Sequence, residues 1–133
     1  MSNITVTNVD IGNVILKDGE FRDDLLTFAG AATVKEGTIL ARDSVSLKLV
    51  PFVKGGTTNE NGIPKAVLTY DVTATGAGDV AIRDMVSGSV RAQRLVIDAD
   101  GDASNVDAVV LDQLRDYSLV SIDVQELNIL DNQ

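Results

Sequence analysis

Short apolar bursts, cut apart by Gly-, Asn- and Asp-containing breaks, limit what this chain can fold into more than any other feature. The rhythm is clearest in residues 36–53, EGTILARDSVSLKLVPFV. There, Thr38-Ile39-Leu40-Ala41 and Val45-Ser46-Leu47-Lys48-Leu49-Val50 flank a polar, turn-like break at Arg42-Asp43-Ser44. In the second burst Val45, Leu47 and Leu49 point one way and Ser46 and Lys48 the other, the period-two pattern of a half-buried strand. The pattern returns after the Gly-rich break at 55–62. Residues 66–73 read AVLTYDVT, and over 78–98 Val80, Ile82, Val86, Val90, Leu95 and Ile97 are set among polar neighbours. Asn61-Gly62 is a strong turn dipeptide. Gly76 and Gly78, and then Ser87-Gly88-Ser89, signal two further turns. Short strands at such spacing predict a mainly β domain, a small sandwich or barrel folded back in sequence.

The ends read differently. Residues 1–10 alternate, with Ile4, Val6 and Val9 apolar and Thr5, Thr7 and Asn8 polar or β-compatible. Val14-Ile15-Leu16 is another apolar burst, residues 20–26 are charged and mixed, and residues 27–33 are small. This stretch holds too little apolar surface for a core of its own. It is therefore expected to be an N-terminal arm, 1–32, ahead of a β-rich domain, 33–133. Near the C-terminus, Ser104 and Asp107 match a capping box. Val106, Val109, Val110 and Leu114 follow at helical spacing, so one short helix is expected from near Ser104 to near Asp116. A closing strand is expected over 118–127.

Composition removes several classes of function. The chain has no cysteine and no histidine, which excludes disulfides, thiolate chemistry, imidazole metal sites and Ser-His-Asp arrangements. With 11 basic and 20 acidic residues the net charge is −9, and no basic stripe offsets it. Such a domain repels phosphate backbones, so no nucleic-acid partner is expected. No stretch approaches the length of a transmembrane helix, so no membrane partner is expected either. The N-terminus lacks a basic region followed by an apolar run, so synthesis in the cytoplasm is expected.

Candidate sites are few. Asp98, Asp100 and Asp102 alternate as calcium ligands can, but the loop lacks the glycine and terminal acid of an EF-hand. A polar turn into a helix N-terminus accounts for them, and no metal or cofactor is expected. Carboxylate pairs such as Asp71 with Asp79 or Asp84 arise by chance in a chain this acidic. Arg83, Arg91 and Arg94 suit a solvated sheet face or ion pairs across a subunit contact.

In order and spacing, Gly37-Thr38-Ile39-Leu40-Ala41-Arg42-Asp43, Leu47-Lys48-Leu49-Val50, Ala66-Val67-Leu68-Thr69-Tyr70-Asp71, Gly88 and Leu95-Val96-Ile97-Asp98 together resemble the head-decoration proteins of tailed bacteriophages. The resemblance covers roughly residues 33–127. It implies a β-tulip-type domain that forms homotrimers on the outer surface of the virion. There it would bind the major capsid protein at local threefold positions of the expanded icosahedral head and stabilise the shell against internal DNA pressure. It implies a structural protein, not an enzyme, with an arm that orders on the shell. Ile4, Thr5, Val6, Thr7, Val9, Val14, Ile15 and Leu16 are the candidate capsid-binding residues. The competing reading is a monomeric ligand- or glycan-binding β-domain.

Overall fold

The computed structural model of the protein describes residues 14–98 and 104–122. Its strands are β1 (Ile15–Phe28), β2 (Ala32–Val34), β3 (Ile39–Arg42), β4 (Leu49–Pro51), β5 (Pro64–Leu68), β6 (Val72–Ala74), β7 (Gly78–Arg91) and β8 (Leu119–Ile122). A 3-10 turn occupies Ala92–Arg94, and helix α1 spans Ala108–Asp116. The lateral order β1-β4-β3-β5-β7 closes on itself because β1 also pairs with β7, so five strands form a barrel. β8 extends the sheet from the far end of β7. The expected mainly β fold with one short C-terminal helix is therefore the observed one.

The barrel wall packs on both faces. Along β3, Ile39 and Ala41 belong to one apolar cluster and Leu40 to the other; along β5, Val67 is separated from Ala66 and Leu68 in the same way. Alternate residues of a strand face opposite sides, so the two clusters lie on opposite sides of the wall. The first includes Val110 and Leu114 of α1. A five-stranded barrel has no room for a helix, since even eight strands enclose no more than side chains or one small ligand. That cluster is therefore the outer one. The second, with Leu26, Leu40, Leu49, Leu68 and Ile82, fills the barrel. β2 and β6 form a separate two-stranded sheet whose Val34, Val72 and Ala74 join the inner cluster.

Four sequence expectations need correction. The stretch 15–28, grouped with the arm for its mixed charge, is a barrel strand of 14 residues paired with β7. It looks polar because one face meets solvent and because three register shifts blur its alternation. Residues 45–48 are not a strand. Asp43 Oδ1 accepts the N–H groups of Val45 and Ser46 at 2.8 and 2.9 Å, closing an Asx turn that leaves Val45 74% and Leu47 67% exposed. The strand begins only at Leu49. Ser87-Gly88-Ser89 is not a turn but runs within β7, where Gly88 adopts φ 129°. Finally, α1 is capped by Asp107 itself, whose Oδ1 accepts from Val109 and Val110 N–H at 3.1 Å each. The helix starts later than the capping-box reading predicts, and Val109 faces outward.

Candidate functional site

Where the two chain ends leave the barrel, residues converge on one place, the Val90–Arg91 end of β7. Val14 stands at the root of the N-terminal segment and is wholly buried. Its N–H donates to Glu36 Oε2 at 3.0 Å, and its carbonyl accepts from Arg91 N–H at 2.7 Å. Ile15 pairs with Val90 and packs half-buried against the outer cluster. Leu16 follows within β1. Val14, Ile15 and Leu16 thus belong to the barrel and its entry point. Ile4, Thr5, Val6, Thr7 and Val9 lie outside the described residues.

On the opposite edge of β7, β8 runs parallel to it with Arg91 level with Ile122. The turn before β8 is tight. Ser118 adopts φ 74°, its N–H returns to Arg115 O, and its carbonyl takes Gly88 N–H at 3.0 Å. Residues 1–13 and 123–133 therefore both connect to the barrel beside the same end of β7. Val120 and Ile122 add exposed apolar surface there, while Arg91 is only 6% exposed. The outward-facing arginines expected as a group do not act as one: Arg91 is buried, and Arg83 lies over the Phe21 ring at 5.7 Å.

The acidic candidates separate too. Asp98 is exposed, and Asp100 and Asp102 fall outside the described residues. Asp71 accepts the Glu36 N–H at 2.8 Å. Asp79 pairs with Lys48 at 2.5 Å and takes the Thr27 hydroxyl at 2.9 Å, and these two bonds hold its carboxyl below the usual range. The carboxylate that Asp84 faces is Asp24, on β1, a pairing the sequence reading missed. Asp24, Leu26 and Phe28 alternate, and that pattern was the available signal for an inward Asp24. A groove between α1 and β8, lined by Ala108, Leu111, Asp112, Arg115, Val120 and Ser121, carries one ion pair, Asp112 with Arg115 at 2.9 Å. Among the described residues no three His, Cys, Asp or Glu side chains group as metal ligands. No described helix is long and apolar enough to cross a membrane.

What these observations define is a small closed barrel with buried apolar layers on both sides of its wall and both chain ends issuing from one end of one strand. The family model described as bacteriophage lambda head decoration protein D matches residues 14–119. No curated protein matched the sequence. The chain belongs to the lambda head decoration protein D family: it is a bacteriophage head decoration protein, and it binds a phage capsid at the outer surface of the virion.

Proposed function

We propose that the protein is made in the host cytoplasm and assembles as a homotrimer. The trimer docks on the major capsid protein at local threefold positions of the expanded icosahedral head and braces the shell against the pressure of packaged DNA. It acts as a structural clamp and not as an enzyme. The observation that carries this reading is the family match across the whole barrel, from the root residue Val14 to the first residue of β8.

Within this reading, residues 1–13 are the capsid-binding arm. Ile4, Val6 and Val9 alternate with Thr5, Thr7 and Asn8, a pattern suited to adding a strand to an exposed sheet edge. Ordering such a segment costs about 1–2 kcal/mol per residue for the backbone. Backbone hydrogen bonds to a capsid edge offset that cost, and three arms per trimer multiply weak contacts through effective concentration. The buried Val14 root keeps the point of departure fixed, so the arm ends at residue 13.

A chain lacking residues 1–13 is expected to sediment as a folded trimer yet lose most of its affinity for expanded shells. Co-sedimentation with expanded and unexpanded shells measures this directly. Undiminished binding of the truncated trimer would move the contact onto the barrel. A full-length chain that stays monomeric and binds neither shell would favour a monomeric binding domain.

A further inference from the structure

One end of the barrel interior holds two acids against a single base. Asp84, on β7, has no exposed surface, and neither of its carboxylate oxygens makes a hydrogen bond to a donor on another residue. Asp24, on β1, bonds Arg42 Nη2 through Oδ1 at 3.1 Å, but its Oδ2 is buried without a donor. The β1–β7 register sets Asp24 level with Ile82 and Asp84 level with Arg22, so the two acids are diagonal neighbours on the inner face. They lie within hydrogen-bonding reach of each other.

The other strands bring no further compensation. β3 supplies Arg42, while β5 and β4 face the pair with Leu68, Ala66 and Leu49. Lys65 of β5 turns the other way, its Nζ 3.9 Å from the centre of the Tyr117 ring. Arg22 is exposed and joins no ion pair among the described residues; Arg83, on the outer face of β7, is exposed as well. Ionised carboxylates only accept hydrogen bonds. Two of them buried side by side therefore leave three oxygens unsatisfied, which is a costly arrangement. One added proton changes this: one carboxyl becomes a donor, the other accepts, and the net charge with Arg42 falls to zero.

We propose that Asp24 and Asp84 share one proton in the folded barrel, and that this shared proton is a built-in pH latch on the barrel's stability. Burial, first, and then the neighbouring Asp24 push the Asp84 carboxyl up to about 7, against the pull of its own backbone N–H and of Arg42. An unfolded Asp titrates near 3.8. The folded state thus holds the proton more tightly, so the latch's contribution is complete below about pH 3.8, drains as pH rises to about 7, and is gone above. The chain has no histidine and no cysteine, so the pair stands apart from every ordinary side-chain titration in that neutral window.

Thermal melts of the full-length protein and of Asp84→Asn from pH 5 to pH 9 test the latch. Asparagine keeps the shape, carries no charge, and offers Asp24 an N–H. The parent melting temperature should fall by roughly 5 °C or more across the range. The variant should stay level and melt higher than the parent at pH 9. Carbon-detected NMR of the parent, which does not depend on the variant folding, should show a side-chain carboxyl titrating near neutral pH. A flat parent profile with every carboxyl titrating below pH 5 would overturn the proposal, as would an unchanged slope in the variant. Stabilisation at pH 8 by millimolar calcium or magnesium in the parent but not in Asp84→Asn would also overturn it, in favour of a cation site.

Discussion

Gly37 and Thr38 show how the Gly37–Asp43 stretch ties separate parts of the barrel together. Gly37 adopts φ 91°, and a Cβ there would run into the Arg94 carbonyl oxygen. Its N–H donates to Leu68 O at 2.7 Å and its carbonyl accepts from Val96 N–H at 2.9 Å, so one residue joins three stretches of chain. Thr38 is wholly buried, and its hydroxyl is satisfied by Lys35 O at 2.7 Å. Asp43 then ends the strand with its Asx turn. Gly37→Ala combines a left-handed backbone with a backbone collision. It should destabilise the fold by at least about 1–3 kcal/mol in a denaturant melt. A smaller loss would mean that the Arg94 turn moves aside freely.

Helix α1 is held at both ends and along one face. Lys54 reaches its capping Asp107 at 2.6 Å, the Lys65 ammonium sits on the Tyr117 ring at its C-terminus, and Val110 and Leu114 enter the outer cluster. Leu114→Ala should cost about 2–5 kcal/mol, because it leaves a cavity beneath the helix. Val109→Ala, at a 63% exposed position, should stay within about 0.5 kcal/mol. Paired urea melts of the two variants check the assignment of faces. The sequence disclosed the helix, its end at Asp116 and the apolar runs that became β3, β5 and β7, because each has a local signature of period or capping. It hid β1, whose partner β7 lies far along the chain and whose bulges disturb the period. It misled at Val45 and Leu47, where an Asx turn imitates the alternation of a strand. The buried Asp24–Asp84 pair depends on which face of β1 turns inward, and no local pattern around Asp24 reveals its neighbour on β7.

At the scale of the whole molecule, the charges respond to acid and base in opposite senses. Hydrogen bonds from Ser46 and Val45 N–H lower the Asp43 carboxyl, Lys48 and Thr27 lower Asp79, and Lys54 and the first-turn N–H groups of α1 lower Asp107. Groups held below their unfolded values stabilise the fold above about pH 4 and lose that contribution as pH falls through their folded values. The Asp84 carboxyl, held above its unfolded value, acts the other way. Urea midpoints should therefore be higher at pH 4.5 than at pH 8, while between 4.5 and 2.5 the two effects oppose and the midpoint should change little. The acid-side loss should be shallow, because these three carboxylates are solvent-screened.

The pairing of β1 with β7 has a bearing on how the barrel comes into being. β1 is made early in synthesis, yet the partner along its whole length follows β2 to β6. Until residue 90 has been made, the wall cannot close and the inner layer of Leu26, Leu40, Leu49 and Leu68 has no complete enclosure. Contacts so distant in sequence carry a loop-closure cost before they return any stabilisation, which slows folding and ties it to one late event. The nascent chain must carry a half-apolar β1, with at most its short contact to β4, until β7 has been made. The Arg22, Asp23 and Asp24 run at its centre then has a second use: charges on an open strand discourage it from joining the wrong partner while the right one is still being made.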